Sequence, residues 1–143
     1  MNDASGQKPA RHRPGSGESS RRAPRESRQR NERFGRRAEW IAAVFLWVKG
    51  YRLLARRVRT PVGEIDLVVR KGNTLVFVEV KARPGLDSAI FALHPRQRQR
   101  IEAASRVLAP RFAGPGTTMR IDAVLVRPWA LPVHMVAIWR EQG

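Results

Sequence analysis

The chain has 143 residues and carries 28 Lys and Arg against 12 Asp and Glu, a formal charge of +16, which predicts attraction to polyanions, nucleic acid foremost. It contains no cysteine, which excludes a disulfide framework and cysteine-based zinc sites and suits a reducing cytoplasm. Its longest apolar run, Trp40 to Val48, is nine residues, against about 20 for a membrane span, and the polar start shows no secretory signal, so no membrane association is expected.

Residues 1–33 are Arg, Ser, Gly and Pro with almost no apolar content. They cannot bury enough surface to offset chain entropy and are expected to form a disordered basic tail. The tail holds nine Lys and Arg against four Asp and Glu, leaving 19 against eight for residues 34–143. The expected folded domain, 34–143, is therefore basic in its own right.

The spacing of Ala38, Ile41, Ala42, Phe45 and Val48 predicts a helix over about 35–49, stopped by Gly50. Glu39 lines up with Ala42, Ala43 and Leu46 at i+3, i+4 and i+7, so it sits on or beside a packing face. Two readings stand: a boundary glutamate paired with Arg36 or Arg37, or a carboxylate aimed at the strands that follow. The first of those strands begins at Tyr51-Arg52-Leu53-Leu54.

Residues 63–81 then read Gly-Glu-Ile-Asp-Leu-Val-Val-Arg-Lys-Gly-Asn-Thr-Leu-Val-Phe-Val-Glu-Val-Lys. Two β-type runs, about 63–69 and 74–81, flank a Lys71-Gly72-Asn73 turn and predict a hairpin that ends at Arg83-Pro84-Gly85. Alternation puts Glu79 and Lys81 on one face, with Val76, Val78 and Val80 on the other. In the partner run it groups Glu64, Asp66 and Val68 against Ile65, Leu67 and Val69. Burying charge is costly without a partner. If the register aligns the acidic faces, Asp66 and Glu79 become neighbours and repulsion raises one carboxyl pKa unless a cation bridges them. Mg2+, with Mn2+ as a substitute, is the expected cation, since a hard ion takes one or two carboxylates plus water and phosphate. Lys81 would then assist at the phosphate. The alternative is an ordinary hairpin with a surface Glu–Lys pair worth little.

Pro95 to Ala109 reads as a second helix with Ile101, Ala104 and Leu108 inward and Pro110 as its stop. It carries Arg96, Arg98, Arg100 and Arg106; with Arg83, the first three are candidate phosphate contacts. Met119–Val126 and Val133–Trp139 read as two closing strands. Asp122 in the first of them is expected to pair with Arg120 or a loop donor. His12, His94 and His134 have no metal-ligand spacing.

In combination, these residues resemble a known family. Gly35-Arg36-Arg37-Ala38-Glu39 with Ala42 and Leu46, then Gly50-Tyr51, Gly63-Glu64-Ile65-Asp66-Leu67, Phe77-Val78-Glu79-Val80-Lys81 and Arg120-Ile121-Asp122 are similar to the YraN-like family of small bacterial proteins. That family is placed with the restriction-endonuclease-like nucleases and is similar to archaeal Holliday-junction resolvases. The resemblance implies an α/β fold, a central mixed sheet flanked by helices in the order α-β-β-β-α-β-β. It implies Asp66, Glu79, Glu39 and the main-chain carbonyl of Val80 as metal ligands, with Lys81 as the catalytic lysine. It further implies hydrolysis of structured or branched DNA by a homodimer, the alternative being a nucleic-acid-binding protein on a nuclease-like fold. Family members usually show a lysine near the start of the second helix, where this chain has Gln97.

Overall fold

The computed structural model describes residues 23–83 and 95–139, with the backbone alone for 23–34 and 139. The seven elements follow in the expected order: α1 (Ala23–Val48), β1 (Arg52–Thr60), β2 (Gly63–Lys71), β3 (Thr74–Ala82), α2 (Pro95–Phe112), β4 (Thr118–Val126) and β5 (Val133–Trp139). The five strands form one mixed sheet in sequence order. β1, β2 and β3 run antiparallel, β3 and β4 are parallel, and β5 returns antiparallel to β4. The parallel step requires a crossover, and α2 is its helix. Residues 1–22 of the tail expected over 1–33, the Pro84-Gly85 break, and His12 and His94 lie outside the described residues.

Each face of the sheet carries one helix. Ala38, Ala42, Ala43 and Leu46 of α1 pack on Leu67, Val69, Val76, Val78 and Val124. Ile101, Ala104 and Leu108 of α2 pack on Ile65, Val68, Leu75, Phe77 and Ile121. The inner stripe read for α2 is thus the buried one, with Ser105 added. Of the stripe read for α1, Ala38 and Ala42 are buried, whereas Ile41 and Val48 are exposed, and Ala43 and Leu46 complete the packed face beside Glu39. Residues 40–48 of this helix are all apolar, so periodicity alone does not choose a side there. Alanines let the helix axis approach the sheet closely, and that side is the one that packs.

Three further differences have local causes. α1 begins at Ala23, twelve residues before the expected start, so the last part of the expected tail is helical. Pro110 does not stop α2, which runs on to Phe112. Proline loses one amide bond and crowds the carbonyl four residues back, but its φ is helical, and so near the helix end the ladder survives it: the Ala113 amide still donates to the Ala109 carbonyl at 2.7 Å. Ile65 sides with Val68 toward α2 rather than with Leu67 and Val69. The β1–β2 ladder steps from Arg56↔Leu67 to Val58↔Ile65, and Arg57 between them has φ 50°. The kink interrupts strict alternation at Asp66, opposite Arg57.

The end of α1 is closed as the sequence indicates. Gly50 has φ 92°, its amide donates to the Trp47 carbonyl at 2.9 Å, and the Tyr51 amide donates to the Leu46 carbonyl at 2.9 Å. This pair of bonds is a Schellman motif, which needs a left-handed residue at the position of Gly50. No helix among the described residues is long and apolar enough to cross a membrane. Gly50→Ala should lower stability by about 1–2 kcal/mol, the cost of a left-handed φ with a Cβ, read as a reduced urea midpoint with unchanged m-value.

Candidate active site

The β2–β3 ladder ends at the pair Leu67↔Val78. One residue further along each strand stand Asp66 and Glu79. The amide of Val80 lies beyond the last ladder pair, and the Asp66 carboxylate caps it, accepting its hydrogen bond at 2.8 Å. Asp66 is thereby held half-buried beside Glu79, which is 8% exposed. The acidic faces align as the hairpin reading requires.

Two carboxyls so placed cannot both ionise freely. Burial pushes the Asp66 carboxyl up to about 8; the Glu79 charge and a hydrogen bond shared with Glu79 push the same way, and Glu39 adds to it. Only the Val80 amide opposes the shift. Glu79 has partners of its own. Lys81 Nζ lies 3.3 Å from Glu79 Oε1, and Gln97 Nε2 donates to the same oxygen at 2.8 Å. The departure at Gln97 therefore brings the first turn of α2 onto the site, with a neutral donor rather than a cation.

Glu39 enters from α1. It is buried, and Arg57 Nε donates to its Oε2 at 2.6 Å. Its partner is neither Arg36 nor Arg37 but the kinked residue of β1. The Glu39 carboxylate in turn holds the Arg57 guanidinium above its ordinary pKa. Glu39, Asp66, Glu79, Val80 and Lys81 line one cleft of about 400 Å³, with Gly35, Ala38, Ala82 and Arg83 completing its wall. Among the described residues no group of three or more His, Cys, Asp or Glu is arranged to hold a metal ion. The close convergence is of two acids, with Glu39 in the wall.

Of the candidate phosphate contacts, Arg83 is exposed on the cleft rim, anchored through its amide to the Val126 carbonyl at 3.1 Å. Arg96, Arg98 and Arg100 are exposed on the first turns of α2, the end that Gln97 joins to Glu79. Close contact fixes that helix against the hairpin. A Cβ on Gly63 would come within 3.0 Å of the Arg100 carbonyl oxygen.

A second acid lies elsewhere and is of another kind. Asp122 is fully buried. Arg120 binds it through Nε and Nη2 at 2.8 Å each, His134 Nε2 lies 2.7 Å away, and the Ala137 amide donates at 2.8 Å. Burial raises its pKa, but His134, Arg120 and the Ala137 amide outweigh burial and leave the carboxyl below its ordinary range. A carboxylate only accepts, so His134 carries its proton on Nε2, and Nδ1 accepts from Lys49 Nζ at 2.6 Å. Arg120 also donates to the Tyr51 hydroxyl at 2.7 Å. The expected Arg120 pair is present. The parts played by Lys49 and Tyr51 had no sequence signal, because each lies far along the chain from Asp122; His134 is twelve residues away, but the irregular β4–β5 register that brings it to Asp122 is not written in the sequence.

The family model described as "Uncharacterised protein family UPF0102" matches residues 38–126, a span that contains Glu39, Asp66, Glu79, Lys81 and Asp122. A UPF0102 protein of Mesorhizobium japonicum is 51% identical over 113 residues, covering 78% of this chain and 90% of that protein. One of Parvibaculum lavamentivorans is 47% identical over 131 residues, covering 85% and 97%. One of Sphingopyxis alaskensis is 46% identical over 106 residues, covering 74% and 91%. The chain belongs to the UPF0102 family.

The two acids should respond oppositely to pH. The folded-state pKa of Asp66 lies above its ordinary 3.8, so the folded protein binds an extra proton between about pH 4 and 8, and stability falls as pH rises through that window. In chelator-treated protein, Asp66→Asn should raise Tm at pH 8 and lose that advantage at pH 4. The Asp122 pKa is depressed, so its contribution is present at neutral pH and is lost as pH falls through the folded-state value. Asp122→Ala should cost about 3 kcal/mol or more at pH 7 in chemical denaturation, since it strands the partners of a buried ion pair.

Proposed function

We propose that this member of the UPF0102 family is a divalent-cation-dependent phosphodiesterase that cuts structured or branched DNA. The observation that carries the reading is the convergence of Asp66 and Glu79 in an open cleft with Lys81 3.3 Å from Glu79. An acid pair that keeps a proton at neutral pH is short of positive charge, which a hard cation would supply by displacing that proton, and one or two carboxylates suffice for Mg2+ when water and phosphate supply the remaining oxygens. Asp66 and Glu79 would hold the ion, with the Val80 carbonyl as a third oxygen and Glu39 in the cleft wall. When bound, the ion supplies Lewis-acid polarisation of a phosphoryl oxygen and a more acidic water.

The protein's own groups prepare that chemistry. Gln97 and Lys81 both engage Oε1 of Glu79, which fixes the carboxylate in the cleft. The Val80 amide fixes Asp66 in the same way through Oδ2. Lys81 is 19% exposed and lines the cleft. From there its ammonium can donate to a phosphate oxygen or orient the attacking water. A water oxygen then bonds to phosphorus as the bond to the leaving sugar oxygen breaks. Arg83 on the rim and Arg96, Arg98 and Arg100 on α2 contact flanking phosphates, and the charge of +16 draws the polyanion in.

A cleavage panel of four-way junction, flap, nicked and intact duplex DNA, with and without Mg2+, tests this. Turnover should require the cation. Lys81→Ala should reduce it by about 100-fold or more, as loss of a transition-state donor does, while affinity measured in chelator stays within a few-fold. Salt-sensitive binding without products on any substrate would identify a binding protein on this fold instead.

A further inference from the structure

The largest apolar surface left bare among the described residues is the outer face of α1. Trp40 is 52% exposed, Ile41 46%, Val44 57%, Trp47 71% and Val48 73%. These five positions fall on one side of the helix, opposite the alanines that meet the sheet. Within the helix no charged residue interrupts them, because Glu39 is buried on the other side; from β1 the Arg56 guanidinium stacks on the Trp40 ring, 3.9 Å from its centroid, at one end of the stripe. Single exposed apolar residues are ordinary, but a contiguous stripe marks an interaction surface.

We propose that this face pairs with the same face of a second copy, antiparallel, about a twofold axis at Val44. The order of residues identifies the occupant. Trp40 and Ile41 lie three to four positions before Val44, and Trp47 and Val48 lie three to four after it. The stripe therefore reads nearly the same in both directions, which is the condition an isologous interface must meet. Reversal sets Trp40 and Ile41 of each copy against Trp47 and Val48 of the other, with the small Val44 at the crossing, where helix axes come closest. From these exposures the stripe presents roughly 500 Å² per copy, given 150–250 Å² for a whole aromatic side chain. A symmetric pair then buries about 1,000 Å², the lower bound for a specific interface. Arg36 and Arg37 before the stripe and Lys49 and Arg52 after it are exposed and form a cationic rim. Reversal brings these cations near one another, so association should strengthen as salt screens them. Glu39 lies five residues from Val44, so the two clefts would open toward opposite ends of the helix pair, about 15 Å apart along the axis.

Sedimentation of the full chain at high salt should give twice the mass of the 16.2 kDa chain. Val44→Glu should give a monomer with an unchanged far-ultraviolet circular dichroism spectrum. The chain has no cysteine, so Val44→Cys should oxidise to a disulfide-linked dimer, whereas Val107→Cys, exposed on α2, should not. A monomeric wild-type chain at every concentration and salt overturns the proposal, whether the stripe stays bare or is covered by other parts of the chain. So does a dimer that survives Val44→Glu. A dimer in which Val44→Cys fails to cross-link overturns the twofold register.

Discussion

Two acids that repel each other are held side by side where the β2–β3 ladder runs out, and much of the surrounding structure serves that placement. The Val80 amide would lack a partner beyond Leu67↔Val78, and Asp66 supplies one. The kink at Arg57 breaks the alternation of β2 at Asp66 and sends a guanidinium to Glu39. Alanines on α1 let the helix come close enough to the sheet for Glu39 to form part of the cleft. Gln97 joins α2 to Glu79 from the opposite face of the sheet. Four elements thus meet at one end of the hairpin, and the repulsion they enclose is only partly relieved by them.

The contrast with Asp122 shows what partial relief means. Both carboxyls are taken from water. Asp122 receives a bidentate guanidinium, an imidazole and an amide, and its pKa ends below the ordinary range. It faces no cleft, and each of its oxygens is engaged inside the protein. Asp66 receives one amide, and its pKa ends far above that range. A protein that can satisfy a buried carboxylate as fully as Asp122 has the means to do so at Asp66. Leaving Asp66 in deficit beside an open cleft is the pattern of a ligand site.

The legible part of the fold was what local rules control. The strand runs themselves, the Lys71-Gly72-Asn73 turn, the Gly50 stop and the Ile101–Ala104–Leu108 stripe each depend on residues within a few positions of one another. Asp66 and Glu79 were readable because a tight hairpin fixes its own register, and Asp122 with Arg120 because two residues on one strand share a face. Arg57 was not. It sits among Arg56 and Arg59, and nothing local tells a buried partner from a solvated one. His134 and Lys49 were hidden for the same reason, since the sheet order that unites them spans 85 residues. The face of α1 was legible only at Ala38 and Ala42; Ile41 and Val48 face out because both sides of residues 40–48 are apolar, and choosing between them needs the shape of the sheet they meet.

The molecule's charge presents a conflict that the proposed reading resolves. At long range a chain of net charge +16 attracts a polyphosphate backbone. At short range the cleft presents acids, and a phosphate entering it meets like charge. Lys81 cannot offset both acids and the phosphate, because its ammonium already leans on Glu79. Among the described residues Arg83 is the one arginine in the cleft lining, and it is exposed on the rim, so in the proposed reading the arginines bring the backbone to the rim and leave the last step unbalanced. A divalent cation between the acids and the phosphate removes the repulsion on both sides at once. The acid pair therefore fits recognition that depends on such an ion, and a purely electrostatic binder would gain by exchanging both acids for neutral residues.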